Sequence, residues 1–488
     1  MLALGGLALV AVVAVLAGLN VAGLRDRLFP RWAAPPHIDS IAVLPLENLS
    51  HDPNQEYFAD GMTEELITNL GKISALRVIS RTSVMRYKGT KKPLPEIARE
   101  LNVDAVVEGA VLRSGNRVRI TAQLIQANPE KHLWADSYER DPRDILALQS
   151  EVARAITDEI KIKVSPQEQA RLARARQVNP QAHELYLKGQ YYNNRRDPEK
   201  ASDYFKAAIN ADPTYAPPYA GLAAVYSYLG RFEVLPASEA FSKARAAAEK
   251  ALELDETLGE AHAALGFTLL SFDWDWTAAE REYKRALELS PSVAPIRSSY
   301  GQFLVRMGRH QEAIREARRG VELDPVSPER YVDLGWIYWE SRQYDQALEQ
   351  YRKTLELDPT QNVSFYFAVA FREKGMYQEA IAEFLQMPDN PVKFGQGGNA
   401  YARAGRVREA REAIRKLKER AKIDFRGTCM VALVYAGLGE KDQAFEWLEK
   451  AYLVRDRGMT FLKIDPGLDP LRSDSRFQDL LRRMNFPP

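Results

Sequence analysis

Apolar positions from Ala182 to Leu453 recur three, four and seven residues apart in short runs, and the whole pattern returns about every 34 residues. Between Val321 and Pro359 the period is plainest. Tyr331, Leu334, Gly335 and Tyr338 share one helical face, polar residues interrupt at Ser341 to Tyr344, and Ala347, Leu348, Tyr351 and Leu355 share a second. "ELDP" closes the stretch at Pro359, as it closes the preceding one at Pro325, and "ELSP" stands one period earlier at Pro291. Small residues keep the same register at Gly189, Ala223, Gly266, Gly301, Gly335, Gly398 and Ala432. A second series runs through Ala201, Ala244, Ala279, Ala313, Ala347, Ala380, Ala410 and Ala444. The spacing predicts about eight units of two antiparallel helices, with small residues where the helices approach and a proline that ends each unit. Neither helix can bury its stripe alone, so the units must stack.

The pattern changes on the N-terminal side. "SIAVLPL" and "LRVIS" read as strands, and Phe58, Met62, Leu66, Leu70 and Ile73 make a helical stripe. Leu94, Ile97, Ala98 and Leu101 mark a short helix. "DAVVEGAVLRSGNRVRITAQLIQA" alternates on both sides of Ser114-Gly115-Asn116, which predicts a hairpin. A further strand, "HLWADSYER", precedes a helix with Ile145, Leu148, Val152, Ile156 and Ile160 on one face. Strands alternating with helices predict a small α/β domain over residues 40–164, joined by a linker helix (165–181) to the repeats (182–453). In the remainder (454–488), Phe477, Leu480, Leu481 and Met484 form one apolar face, as a helix capping the last repeat requires.

Leu2 to Leu24 is uncharged over 23 residues, long enough for a helix to cross a membrane. Residues 1–24 are therefore expected to be a single transmembrane anchor, and 25–39, with "FPRWAAPPHID", a linker. Arg25, Arg27 and Arg31 follow the span, and the positive-inside rule alone puts the bulk of the chain in the cytoplasm. Ala14, Gly18 and Ala22 make a small-residue ridge able to pair two spans into a homodimer. The expected fold class is thus α+β multidomain: one transmembrane helix, a small α/β domain, then an all-α solenoid.

The helical units resemble the tetratricopeptide repeat family, whose 34-residue unit carries these aromatic, Gly, Ala and Pro anchors in this order. Two departures stand out: Val369 replaces the usual Gly, and "MPDNPVKFGQGG" (Met387 to Gly398) interrupts one junction. "IAVLPLENLSHDPNQEYFADGMTEELITNL", "RVISRTSVMRYKGT", "IARELNVDAVVEGAV" and "RVRITAQLI" resemble the TolB-like module found ahead of such repeats in bacterial chains. In those chains a membrane span often precedes the module, and a winged-helix, cyclase or kinase output domain precedes the span. That resemblance implies an extracytoplasmic, periplasmic location and a sensing half, the alternative to a membrane-anchored scaffold.

Net charge is +1, which gives no whole-chain pull toward nucleic acid. The single cysteine, Cys429, excludes an internal disulfide framework and a Cys-built metal cage, and is expected in the core. No phosphate loop, Gly-x-Ser-x-Gly elbow or His-Glu-x-x-His occurs, and the six histidines are scattered, so no catalytic residue, metal ligand or cofactor is assigned and the chain is not read as an enzyme. An enzyme acting in the α/β domain is the weakest reading. Asp52, Glu56, Asp60, Glu64 and Glu65 are expected to form a solvated helix start, favoured by capping and the macrodipole. The basic run Arg403, Arg406, Arg408, Arg411, Arg415, Lys416, Lys418, Arg420 and Lys422 is expected to be a solvated helix face rather than a nucleic-acid footprint. Binding of a protein or peptide is expected on the concave face, lined by Tyr186, Gln190, Phe267, Gln302, Arg306, Val332, Trp336 and Trp339. Arg306, Trp336 and Trp339 are the first choice there, because Trp and Arg are frequent hot spots. "DWDW" is placed in a turn, with Asp275 capping the helix that follows.

Overall fold

The computed structural model describes residues 38–487 apart from 174–176, 233, 425 and 426. The span Leu2–Leu24, its linker and the small-residue ridge lie outside these residues, and no described helix is long and apolar enough to cross a membrane.

The N-terminal region is built on strands β1 (Ser40–Val43), β2 (Glu47–Asn48), β3 (Arg77–Val78), β4 (Ala105–Ser114), β5 (Arg117–Ala127) and β6 (Glu130–Arg140). The sheet order is β3-β1-β4-β5-β6, with β2 also on β4. β1 runs parallel to both neighbours and is buried along its whole length, as a strand covered on both faces must be. β4, β5 and β6 are antiparallel, and the hairpin closes between Ser114 and Arg117 around Gly115 at φ 55°, where a residue without Cβ carries no strain. Helices α1 (Glu56–Leu70), α2 (Arg81–Val84), α3 (Leu94–Leu101) and α4 (Ile145–Glu159) pack around this sheet, with Phe58, Met62, Leu66 and Leu70 of α1 buried. α5 (Pro166–Ala173) leads to the repeats.

Eight helix pairs follow among the described residues: α6 (Pro180–Asn194) with α7 (Pro198–Ala211), α8 (Pro217–Arg231) with α9 (Ala237–Leu254), α10 (Gly259–Thr268) with α11 (Trp276–Leu289), and α12 (Ala294–Arg306) with α13 (His310–Leu323). Then come α14 (Pro328–Glu340) with α15 (Tyr344–Leu357), α16 (Ser364–Glu373) with α17 (Tyr377–Gln386), α18 (Pro391–Arg403) with α19 (Val407–Asp424), and α20 (Thr428–Gly437) with α21 (Lys441–Leu453). The recurring small residue is explained at Gly335: a Cβ there would stand 2.3 Å from the Tyr351 ring of the paired helix. The departure at Val369 is absorbed without exposure, since its side chain is fully buried. The irregular stretch Met387–Gly398 resolves into a helix start, with Asn390 accepting from the Lys393 amide at 2.8 Å. Asp275 caps α11 by accepting from the Ala278 amide at 2.9 Å, and the neighbouring Trp274 and Trp276 are buried.

The array curls until its first pair meets its fifth, where Arg196 and Glu329 form an ion pair at 2.8 Å. Residues from Asp39 onward form one compact unit, and the sheet region is seated on the turns between repeats. Ser80 N–H donates to the Leu323 carbonyl at 2.8 Å, and Arg86 donates to the carbonyls of Val326 (2.6 Å) and Leu357 (3.0 Å). Ser292 Oγ donates to the Leu76 carbonyl at 3.1 Å.

The carboxylates of α1 correct the expectation of a solvated helix start. Asp60 is only 4% exposed and meets Lys88 at 2.5 Å. Glu64 accepts from Asn194 at 2.9 Å and faces Arg81 at 3.4 Å, while Glu65 pairs with His183 at 2.9 Å and with Gln149. Asn194 and His183 belong to α6, so the polar face of α1 is covered by the first repeat. Burial pushes the Glu64 carboxyl upward, and Arg81 opposes that shift. The basic run is divided rather than one helix face: Arg403 ends α18, Arg406 lies in the turn, and Arg408 to Lys422 lie on α19, with Arg403 paired to Glu373, Arg406 to Glu409, Arg411 to Glu440 and Arg415 to Glu412.

Candidate binding surface

First helices of the pairs turn one face toward the inside of the curl, and the chain itself covers much of it. At the first pair this face is taken by α1. Tyr186 is half-buried against Phe205 (6.0 Å) and Tyr215 (5.7 Å), and Gln190 is half-buried beside it. Burial raises the Tyr186 phenol well above its ordinary range, and the carboxylates of Glu65, Glu64 and Glu260 push the same way.

Over the fourth to eighth pairs the inner face is taken by the C-terminal segment, residues 456–487, which ends in α22 (Ser475–Arg483). Phe461 lies under Arg306, its ring centroid 4.5 Å from the guanidinium, and edge-on to Trp336 at 6.3 Å. Arg342 grips Asp469 with two bonds of 2.7 Å. Trp276 Nε1 donates to the Met484 carbonyl at 2.8 Å, and its ring stacks on Phe486 at 4.3 Å. Arg455 donates to the Phe272 carbonyl at 2.6 Å, so the third and eighth pairs are tied together. Met459, Leu462, Leu471, Leu480 and Met484 are fully buried, and the segment belongs to the core of the array. The apolar face of α22 packs on α21, and the chain then carries on to the third pair.

The structure brings Arg306, Trp336 and Trp339 together but places them inside. Arg306 is 3% exposed, Trp339 1% and Gln302 6%. Trp336 is half-buried, stacked on Trp339 at 4.5 Å, with its Nε1 donating to Glu340 at 2.8 Å. Val332 and Phe267 are half-buried, and Phe267 contacts Phe241 at 6.1 Å. The accessible inner face lies on the second and third pairs, where Ala224, Tyr228 and Glu260 are exposed.

Two residues beside the expected lining went unassigned. Glu340 follows Arg306 by one 34-residue period, and Arg231 ends the first helix of its pair as Arg306 and Glu340 end theirs. The register shared by Arg306 and Glu340, which follow the recurring small residues Gly301 and Gly335 at the same spacing, was the available signal, and Arg231 stands outside it. Burial pushes the Glu340 carboxyl up to about 7, with Arg306, Trp336 and Arg231 acting in the opposite sense. An outer groove of about 740 Å³ lies between α17, α18 and α19, lined by Phe384, Leu385, Phe394 and Tyr401. No group of three or more metal-ligating side chains occurs among the described residues.

Comparison with known proteins bears on the array. Residues 275–328 and 332–391 match one tetratricopeptide repeat model, and 185–215 match a second. The helical array is a tetratricopeptide-type solenoid. A relative assigned as adenylate cyclase 3 of Rhizobium meliloti (strain 1021) is 35% identical over 255 residues, 50% of this chain and 43% of that protein. The transcriptional regulator HilA of Salmonella typhimurium is 22% identical over 292 residues, 58% of this chain and 50% of that one. The chain thus spans about half the length of these curated relatives. Among solved structures, Pseudomonas aeruginosa PilF is 22% identical, covering 42% of this chain and 96% of that one with a TM-score of 0.31. A thermophilic TPR protein of Thermus thermophilus is 18% identical, covering 39% and 98% with a TM-score of 0.34.

Proposed function

We propose that this chain is a non-catalytic, membrane-anchored scaffold that binds a protein or peptide on the inner face of its repeats. The observation that carries the reading is that this face already holds protein twice. It takes α1 at the first pair and the C-terminal segment from the fourth pair onward, and between them Ala224, Tyr228 and Glu260 are exposed. A face with this record suits a third segment supplied by a partner, most directly along Phe267 and the open residues of the second and third pairs. Leu2–Leu24 supplies the anchor in this reading, holding the repeats on the extracytoplasmic side, and its small-residue ridge supplies a route to a homodimer. A photo-crosslinker at Ala224 in native membranes is expected to trap one discrete protein, while the same group at Glu253 on the outer helix α9 traps none. Equal labelling from both positions, or none from Ala224, overturns the reading.

A second reading has its own support. Relatives named as an adenylate cyclase and as a transcriptional regulator align over half of this chain, which suits the sensing half of a transmembrane regulator. The genomic reading frame on the N-terminal side of Met1 separates the two: continuous coding for a cyclase, kinase or winged-helix domain favours the regulator.

A further inference from the structure

The outer groove between α17, α18 and α19 leaves apolar side chains open to solvent. Leu385 of α17 is 61% exposed, and Phe394 and Tyr401 of α18 are half-buried beside it. The floor is bare because α18 crosses it with Gly397 and Gly398. At Gly398 the packing demands a glycine, since a Cβ would stand 2.7 Å from Val434. At Gly397 a Cβ would rest 3.4 Å from the Phe384 ring, an ordinary contact, so the missing side chain opens the groove and relieves no clash. The volume of about 740 Å³ lies within the roughly 300–1,000 Å³ of ligand-binding clefts.

Three carboxylates and three cations line this groove, and the carboxylates are already taken. Asp389 pairs with Lys393 at 3.0 Å, and Glu409 with Arg406 and Glu412 with Arg415 at 2.6 Å each. Arg408 and Lys416 form no ion pair among the described residues. Arg408 is exposed, and Lys416 lies over the Phe394 ring with its Nζ 4.9 Å from the centroid. The apolar trough therefore has two cations without a counter-ion on its α19 wall. A uniformly anionic partner, such as a nucleic-acid backbone or an acidic membrane, would meet Asp389, Glu409 and Glu412 on the same rim. A peptide places its carboxylates singly and escapes that repulsion.

We propose that this groove binds an acidic peptide segment of a partner protein, with a Phe or Leu side chain seated against Leu385, Phe394 and Tyr401 and carboxylates on Arg408 and Lys416. The apolar anchor supplies burial, and the two charges fix the register of the peptide. The groove lies on the outer side of the array, so the site stands independently of the inner-face reading.

Fluorescence polarisation of a labelled hexapeptide, Glu-Asp-Phe-Leu-Glu-Asp, titrated with the full chain tests it. The controls are Lys-Lys-Phe-Leu-Lys-Lys and Glu-Asp-Ser-Ser-Glu-Asp at the same ionic strength. Saturable binding of the first peptide, one per chain and tighter than about 1 mM, is expected, with both controls at least about tenfold weaker. Leu385→Ser removes an exposed anchor and Lys416→Glu reverses a charge, and each should weaken binding at least about tenfold while the melting temperature stays close to that of the unaltered chain. No saturable binding overturns the proposal, as does equal affinity for either control peptide or unchanged affinity in either variant. Loss of binding in Tyr228→Ala, with Leu385→Ser and Lys416→Glu unaffected, would place the peptide on the inner face and overturn the outer site.

Discussion

The Ser83 hydroxyl donates a 2.7 Å hydrogen bond to Asp324, 241 residues along the chain, and both side chains are buried. Asp324 is the aspartate of an "ELDP" end. At the equivalent positions Asp212, Asp255 and Asp358 accept from the amide two residues on, at Thr214, Thr257 and Thr360, closing the turn locally. Asp324 instead carries a long-range bond that fastens the sheet region to the array, with Val326 N–H donating back to Ser83 at 3.2 Å.

Ser83→Ala should therefore cost about 1–3 kcal/mol, the usual range when a buried acceptor loses its donor. Burial already raises the Asp324 carboxyl, with Ser83 opposing that shift, so the variant should raise it further. Urea unfolding followed by circular dichroism and by tryptophan fluorescence is expected to give coincident transitions, shifted together by the substitution. Two separated transitions in the unaltered chain would show that the sheet region and the repeats do not share one unit.

Glu340 makes a pH-dependent contribution with a definite sign. Its folded carboxyl sits at about 7, against 4.5 ordinarily, so between these values the folded state binds more protons than the unfolded one. Stability from this group is present at low pH and is lost as pH rises toward 7. The groups around it are Arg306 of α12, Arg231 of α8, Tyr351 of α15 and Asp465 of the C-terminal segment. Glu340→Gln keeps an acceptor for Trp336 and removes the charge. It should stabilise the chain by roughly 2–3 kcal/mol at pH 8 and hardly at all at pH 5. Melting temperatures of both proteins across that interval check it, and a larger gain at pH 5 than at pH 8 contradicts the assignment.

The parts legible in the sequence were those written with a period. Tyr331, Leu334 and Tyr338 against Ala347 and Tyr351 declare two helices because one stripe must face the other, and the alternation around Gly115 declares a hairpin for the same reason. That Arg306, Trp336 and Trp339 share a place also followed from the period. Their burial did not, because Phe461 sits in "RDRGMTFLKIDPGLDPLRSD", which folds into short irregular turns with no stripe to read. Glu64 and Glu65 looked solvated for a related reason: their partners Asn194 and His183 lie more than a hundred residues away. Local pattern reports that a face is polar and says nothing of what covers it.

The uncharged run Leu2–Leu24 predicts membrane attachment. The full chain should sediment with membranes and resist carbonate extraction, whereas a chain beginning at Pro35 should remain in the supernatant. A full chain that is soluble without detergent would remove the anchor from the proposed function.

The last expectation concerns the segment that fills the array. Phe477 is 1% exposed and Trp276 donates its indole N–H to the Met484 carbonyl, so the end of the chain is held by packing and by directed bonds at once. Truncating a buried Phe to Ala typically costs about 3–5 kcal/mol, and removing one neutral hydrogen bond about 1 kcal/mol. Phe477→Ala should therefore destabilise markedly and Trp276→Phe mildly, the latter keeping most of the stacking on Phe486. Removing residues from Asp469 onward deletes the Arg342 contact as well as the buried face of α22, and should lower solubility together with melting temperature. The alternative is that this segment rests on the inner face only as a detachable ligand. In that case a truncation extended back to Arg457, which takes Phe461 with it, would leave melting nearly unchanged and open Arg306 and Trp336 to solvent, which increased quenching of tryptophan fluorescence by acrylamide would reveal. Buried Leu462, Leu471, Leu480 and Met484 argue against it, since displacing four such side chains costs roughly 1.5–3 kcal/mol each, as much as the whole stability of many domains. A melting temperature within a degree or two of the intact chain would defeat that argument and make the inner face available from end to end.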